Sequence, residues 1–155
     1  MPAIKPNTGT KTTLSIGSGG GSETFTVVAQ IKTFSFAGQT WTFDETTALD
    51  SPAFGDGGVL KQYRGTEFDP GTMALGGVYA PSDAGQLALT AAFRTGLLTD
   101  FKLTLPLGPG QTVSGNVFAF SAYVQDNPLP DISSKVLTFK ATLKLNTDIV
   151  ITLGS

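Results

Sequence analysis

Apolar and polar residues alternate along several stretches of the chain, the pattern of β-strands with one buried face. Phe34 and Phe36 alternate with hydroxyl residues, and the alternation resumes over residues 40–43 after Gly38 and Gln39. Because a glycine-containing pair often reverses the chain, these two runs are predicted to form a hairpin. Further alternating strands are predicted in the last third of the chain, over residues 101–105, 118–124 and 139–145. The pattern predicts a mainly β fold, an antiparallel β-sandwich or open barrel with one flanking α-helix.

The helix is predicted over residues 82–95, where the alternation gives way to helix-forming residues. Asp83 and Gln86 have the spacing of a capping box, which satisfies main-chain N–H groups at a helix start. Gly96 stands at the position where a left-handed residue usually ends a helix. The apolar side of this helix is predicted to pack on the sheet.

The remaining segments are predicted to be connections within a single domain, 1–155. Residues 1–11 contain Pro2 and Pro6 and are predicted to form an extended N-terminal arm. The glycine-rich residues 17–22 are predicted to be a mobile loop, since no Lys-Ser/Thr or helix start follows as a phosphate-binding loop requires. Residues 44–70 are predicted to be a long loop region with a short strand over 59–64, and their acids lack the spacing of a calcium-binding loop.

The C-terminal tail, 146–155, has its own apolar run at Ile149, Val150 and Ile151. Two interpretations are open for it. The run is either the last strand of the chain's own core or a strand that docks on a neighbouring molecule by strand addition. The long loop region could also reach a neighbour, so these segments together indicate a protein that assembles.

Composition excludes several classes of function. The 155 residues contain no His and no Cys, which removes the commonest general base, the commonest metal ligand and any thiol nucleophile. We therefore expect no enzymatic activity, no cofactor and no metal. The formal net charge is −2 with only 10 Lys and Arg residues, which argues against a nucleic-acid reader. No signal peptide and no apolar run of membrane-spanning length is visible, and we expect no membrane partner.

Several short stretches form an ordered set: Thr13-Leu-Ser-Ile-Gly17, then Glu23-Thr-Phe-Thr-Val-Val-Ala29, then Thr46-Thr-Ala-Leu-Asp-Ser51. The first two together resemble the N-terminal signature of the tail tube proteins of long-tailed (siphovirus, lambda-like) bacteriophages, and the third is similar to a later stretch of that family. The predicted helix within residues 81–96 and the strands near residues 101–106, 120–124 and 136–145 follow in the family's order. The resemblance covers roughly residues 12–145.

The resemblance implies a structural virion protein. Six subunits would form a ring whose sheets join into an inner barrel, and stacked rings would form the tail tube. Double-stranded DNA would pass through the tube during ejection without specific binding. The implied partners are other copies of the chain, a tape-measure protein, and tail terminator and distal tail proteins. The implied location is the virion tail, assembled in the host cytoplasm.

Contacts between subunits or rings are expected from the loop region and the tail. The candidate contact residues are Thr47, Leu49, Asp50, Phe54, Ile149, Val150 and Ile151. One alternative is another tail structural protein. The other is a carbohydrate-binding or adhesin β-sandwich, whose exposed aromatics would come from Trp41, Tyr63, Tyr79 and Tyr123, although Trp41 is expected in the core.

Overall fold

The structure is a computed structural model that describes residues 9–19, 22–48, 50, 52–55 and 57–155. It consists of strands and one helix, α1, over Ala84–Thr95. The strands in chain order are β1 (Thr13–Gly17), β2 (Phe25–Val28), β3 (Ile31–Ala37), β4 (Thr40–Glu45), β5 (Ala53–Phe54), β6 (Gly58–Val59), β7 (Tyr63–Asp69), β8 (Thr72–Val78), β9 (Thr99–Thr104), β10 (Val117–Val124), β11 (Pro130–Asp131), β12 (Thr138–Leu145) and β13 (Val150–Thr152).

One antiparallel sheet forms the body, with strand order β2-β1-β9-β10-β12-β8-β3. Two short strands extend it, since β11 pairs with β12 and β13 pairs with β10. The sheet does not close into a barrel, and α1 packs on β2, β10 and β1. The predicted fold class, mainly β with antiparallel pairing and one flanking helix, is confirmed.

The core consists of the inward residues of these strands together with the buried side of α1. Phe101 and Phe120 stack with ring centroids 5.7 Å apart, and Phe36 meets Phe120 edge-on at 5.8 Å. In β12 the apolar and polar residues that alternate in the sequence are also alternately buried and exposed. Its four apolar residues lie inside and both lysines lie outside. The fully or nearly buried apolar residues are Leu14, Ile16, Val28, Met73, Leu75, Leu89, Ala92, Phe101, Leu103, Phe120, Ala122, Val124, Phe139, Ala141, Leu143 and Leu145.

The helix has the predicted caps, Asp83 and Gly96, and ends at the predicted residue 95, but it begins at Ala84 instead of residue 82. The Asp83 carboxylate accepts a hydrogen bond from the Gln86 main-chain N–H at 3.0 Å and another from the Ala29 N–H at 3.1 Å. Gly96 has a left-handed φ of 65° and closes the last turn on Ala92. The Asp83 cap therefore starts the helix and ties it to the end of β2.

The predicted hairpin between residues 34–36 and 40–43 is wrong. β3 pairs with β8 and β4 pairs with β7, with Ala37 opposite Thr72 and Thr40 opposite Asp69 in one continuous register. Gly38 and Gly71, both at positive φ, let the two strands cross this joint together instead of reversing. The chain thus makes one long two-stranded ladder from β3 and β8 into β4 and β7.

The predicted loop region 44–70 is wrong in its second half. Residues 63–69 form β7. The short strand predicted over 59–64 overlaps β7 only at residues 63 and 64. Residues 46–62 are the true connection, and they contain the small hairpin of β5 and β6. Strand β8 follows β7 directly and returns the chain to the body sheet. Of the predicted N-terminal arm, residues 1–8 lie outside the described residues.

Candidate assembly surfaces

Strands β4 and β7 leave the sheet as a two-stranded ribbon. Every residue of β4 is exposed, and in β7 only Gly65 is half-buried. Within the described residues neither strand pairs with the body sheet. An isolated pair of strands is marginally stable in water. The ribbon therefore has the character of an element that needs a partner surface.

One side of the ribbon carries four aromatic side chains, here called the aromatic face: Trp41, Phe43, Tyr63 and Phe68. The register places Phe68 opposite Trp41 and Gly65 opposite Phe43, so the side chains of the two strands lie together. The rings of Trp41 and Phe68 are 5.3 Å apart at 45°. These side chains are 38% to 60% exposed, and contiguous exposed apolar area of this kind marks interaction sites. The expectation that Trp41 lies in the core is wrong.

Gly65 makes the close packing of the aromatic face possible. A Cβ at this position would lie 3.0 Å from Cε3 of Trp41 and 3.6 Å from Phe43. The indole ring consequently lies over the backbone of β7. A bulge between Thr42 and Phe43 shifts the register at this point and turns the aromatic side chains onto one side.

The other side of the ribbon is polar, and its base is fixed to the body. The Asp69 carboxylate accepts a hydrogen bond from the Gly71 N–H at 2.8 Å, and it forms an ion pair with Lys144 Nζ at 3.2 Å. The Gly71 hydrogen bond and the Lys144 charge lower the pKa of Asp69. The Asp69 carboxylate therefore connects the turn between β7 and β8 to the end of β12.

The connection beyond the ribbon carries the first group of predicted contact residues. Thr47 is half-buried and its Oγ1 accepts a hydrogen bond from the Gln62 N–H at 2.9 Å, which closes the base of the connection. Asp50 is exposed, and Phe54 on β5 is 72% exposed. Leu49 lies outside the described residues.

The second group, Ile149, Val150 and Ile151, lies at β13. This strand pairs with β10 in its own chain, with Val150 opposite Ala119 and Ile151 opposite Phe118. Ile149 is partly buried against the core, whereas Val150 and Ile151 are more than half exposed. The two predicted groups therefore lie on different elements, at the far end of the ribbon and at the sheet edge beside β10.

Sequence reasoning missed the aromatic face as a unit. Trp41 and Phe43 on β4 lie twenty or more positions before Tyr63 and Phe68 on β7, and the pairing of β4 with β7 unites the two pairs. The sequence did show that aromatic residues at positions 41 and 43 alternate with threonines. This pattern indicates that the two aromatic side chains share one face of a strand, but it does not show whether that face is buried. Of the other aromatics considered for sugar binding, Tyr79 packs against the core and Tyr123 is 39% exposed.

A polar cluster that contains the Glu23 and Asp100 carboxyls lies on the outer side of the sheet. Ser121 donates a hydrogen bond to Asp100, and the Gly19 N–H donates to Glu23 at 3.3 Å. Partial burial and the adjacent Asp100 raise the pKa of Glu23 above 4.5, against the opposing effects of Gly19 and Lys102. In the described part of the chain, no group of three or more candidate ligands could hold a metal ion.

The raised pKa of Glu23 gives a testable pH dependence. The contribution of Glu23 to stability is complete below pH 4.5 and is lost as pH rises through the folded pKa, because deprotonation puts two charges side by side. Glu23→Gln should therefore unfold at a higher temperature than the parent at pH 7, and the difference should shrink toward pH 4. Thermal unfolding at both pH values measures this, with the exposed Glu67→Gln as control. A difference that is absent at pH 7 or independent of pH would contradict it.

Among the described residues, no helix has the length and apolar character that a membrane crossing requires. The sequence matches no known family model and no curated protein. Solved structures, in contrast, match over nearly the whole chain.

The matching structures come from an extracellular contractile injection system, the anti-feeding prophage and the SPP1 tail tube. A chain in the cryo-EM structure of the PVC sheath/tube terminator of an extracellular contractile injection system, extended state, matches with TM-score 0.65 and 11% identity, covering 96% of this chain and 97% of the other. The tube-terminating cap of the anti-feeding prophage matches with TM-score 0.67, 12% identity and coverage of 99% and 95%. The SPP1 tail tube, determined by solid-state NMR and cryo-EM, matches with TM-score 0.62, 15% identity and coverage of 97% and 80%. The chain has the fold that these tube and terminator structures share.

Proposed function

We propose that this chain is a structural subunit of a phage-type tail tube, which assembles with copies of itself into stacked hexameric rings. The observation that carries the proposal is the aromatic face, four exposed aromatic side chains on a ribbon that pairs with no further strand among the described residues. The shared fold with tube structures supports the same reading. The predicted contact residues Thr47, Asp50 and Phe54, near the far end of the ribbon, would extend this contact to a neighbouring copy, and Leu49 is proposed as a contact from the sequence alone.

The placement of the ribbon favours an open-ended assembly. β3 starts beside the helix, where Val78 N–H bonds to Gln30, and it ends at the joint where the ribbon leaves. The ribbon and α1 are therefore at opposite ends of the β3–β8 ladder. A contact between unlike ends of identical molecules is head-to-tail. It repeats without limit unless the rotation between successive copies closes the assembly into a ring. Rings that stack in this way build a tube.

The charge of the chain suits a passage for DNA. Attraction to phosphate grows with the number of Lys and Arg contacts, and a channel that gripped DNA would slow its transit. The chain has 10 such residues in 155 and a net charge of −2. One of the lysines, Lys144, is already paired with Asp69. In this proposal the tube surrounds a tape-measure protein, contacts terminator and distal tail proteins, and belongs to the virion tail after assembly in the host cytoplasm.

Negative-stain electron microscopy over a series of protein concentrations tests the proposal. We expect hollow tubes of uniform diameter with a six-fold projection, together with pelleting in the ultracentrifuge above a threshold concentration. Single rings that never stack would instead indicate a terminator. A monomer at every concentration, with or without tube seeds, would overturn the proposal.

A second candidate is a carbohydrate-binding module, because Trp41 and Tyr63 are exposed on one side of the ribbon and aromatic rings stack on sugar faces. Binding on a glycan array together with quenching of the Trp41 fluorescence would favour this function. Assembly into tubes without any glycan binding would exclude it in favour of the structural role.

A further inference from the structure

We propose that the cleft between β3 and the strands β9 and β10 binds one amphiphile with a single hydrocarbon chain and an anionic head, such as a fatty acid. The head pairs with Lys32 at the mouth of the cleft, and the hydrocarbon lies on Phe34 and Phe36. This inference does not rest on the proposed self-assembly. It gives each molecule a ligand site of its own, so it stands or fails separately from the proposed function.

The cleft lies where the curled sheet stays open. β3 is the last strand in the sheet order, three positions from β10, yet the ring of Phe36 meets that of Phe120 on β10 edge-on at 5.8 Å. Distant strands of the sheet therefore face each other across its inner side, and a cleft of about 740 Å³ remains beside this contact. Binding sites for small molecules commonly have volumes of about 300–1,000 Å³. The cleft has the size that such a ligand needs.

Apolar side chains supply the walls of the cleft. Phe34 and Phe36 line it from β3. Leu103, Leu105 and Phe118 line it from the opposite side. Phe34, Phe36 and Phe118 pack against the core but are only partly buried, so the cleft leaves apolar surface in contact with water. A hydrocarbon chain would cover this surface, which is favourable in proportion to the apolar area removed from water.

A bulge brings a lysine to the mouth of the cleft. The register of β3 on β8 shifts between Ile31 and Thr33, which leaves Lys32 as the extra residue and redirects its side chain. Lys32 lines the cleft together with Phe34, and the described residues that line it include no acid. Lys32 also forms no ion pair with any described residue. An unpaired ammonium group beside an apolar cleft is complementary to a ligand with an anionic head and an apolar body.

A second cavity continues the cleft and determines the direction of the ligand. It shares Phe36 and Phe118 with the first cavity and is also lined by Asp148. Because Asp148 repels an anion, the head belongs at Lys32 and the tail points toward Phe36. Lys32 and Phe36 are four residues apart on β3, which corresponds to about 13 Å. An extended chain advances about 1.2 Å per bond, so a tail of about ten to twelve carbons spans this length.

Isothermal titration calorimetry with sodium dodecanoate tests the inference on the whole chain. The titration is made at low salt and slightly alkaline pH, below the concentration at which dodecanoate forms micelles. We expect saturable binding of one dodecanoate per chain. Octanoate should bind at least about tenfold more weakly, because it has four fewer methylenes to contact the cleft. A cleft that another part of the chain or a second copy already fills would give no saturable binding below about 1 mM, and this result would overturn the inference.

The pairing of the head with Lys32 has its own variant and control. Lys32→Met keeps an apolar stem and removes the charge, so dodecanoate should bind about threefold to fivefold more weakly. Lys140→Met removes a lysine from the exposed side of β12 and should leave the binding unchanged. Dodecyltrimethylammonium, which has the same chain length and a cationic head, should bind the parent more weakly than dodecanoate. Equal binding of the two amphiphiles, or a Lys32→Met protein that binds dodecanoate as the parent does, would overturn the inference.

Two further variants distinguish the cleft from the aromatic face of the ribbon. Trp41→Ser with Phe68→Ser removes two rings of the aromatic face and should bind dodecanoate as the parent does. Leu105→Trp should weaken binding at least about fivefold, because the larger side chain occupies the cleft. Circular dichroism checks that Leu105→Trp folds, and the exposed change Lys32→Met keeps the test valid if it does not. Binding that the ribbon variant loses, or that a folded Leu105→Trp protein retains in full, would show that the cleft is not the site.

Discussion

Replacing Trp41 and Phe68 together by serine is expected to abolish assembly and to leave the body folded. The two rings pack on each other on the exposed ribbon, and neither contributes to the buried core. A large aromatic side chain at the centre of an interface typically contributes about 2 kcal/mol or more. The double variant should therefore need at least roughly 100-fold more protein to assemble.

Sedimentation at rising protein concentration measures the threshold, and circular dichroism with thermal unfolding checks the body. The unfolding temperature should change by less than about 3 °C, since surface substitutions outside the core are nearly neutral. Thr42→Ser with Glu67→Gln on the polar side of the same ribbon is the matched control and should assemble normally. Normal assembly of the aromatic double variant would show that the ribbon is not the contact.

Replacing Gln86 by alanine is expected to produce the largest loss of stability. This side chain is buried, and its amide joins the ends of β2 and β8: Nε2 donates to the main-chain oxygens of Ala29 and Val78 at 3.0 Å each, and Oε1 accepts from the Ala80 N–H at 2.9 Å. Removal leaves three main-chain groups without these partners, and a buried unsatisfied group costs about 1–3 kcal/mol.

We expect the free energy of unfolding to fall by about 3 kcal/mol or more and the unfolding temperature by roughly 10 °C. Thermal and urea unfolding provide the measurement. Arg94→Ala, an exposed change in the last turn of the same helix, controls for helix propensity and should shift the midpoint only slightly. A Gln86→Ala protein that unfolds within about 2 °C of the parent would mean that water replaces the lost partners.

The sequence predicts the helix and the later strands well because their signals are local. The Asp83 cap, the Gly96 stop and the alternation in β12 depend on residues close in the chain, and the structure follows each of them. The order of strands in the sheet does not have such a signal. The pairing of β3 with β8 joins residues about forty apart, and only tertiary packing selects it.

The joint at Gly38 shows why the ribbon could not be predicted. A Gly-Gln pair between two alternating runs is typical of a hairpin turn, and the opposite glycine, Gly71, lies far along the chain. A Cβ on Gly71 would lie 2.1 Å from the Ala37 main-chain oxygen, so the approach of β3 requires glycine there, whereas glycine at position 38 is favoured by its positive φ of 78°. Whether Trp41 is buried depends on which strand β4 pairs with. The exposure of Trp41 therefore could not be predicted from its place in an alternating, strand-like stretch.

The continuity of β3 with β4 and of β7 with β8 determines how the body responds to force. A pull on the far end of the ribbon is directed along β3 and β8, while the hydrogen bonds to the neighbouring strands lie across that direction. The seven residue pairs between β8 and β12 are then loaded together in shear instead of opening one after another. A tether attached at the ribbon would accordingly be held by the whole length of the sheet, and axial tension would be carried through the body with little stretching.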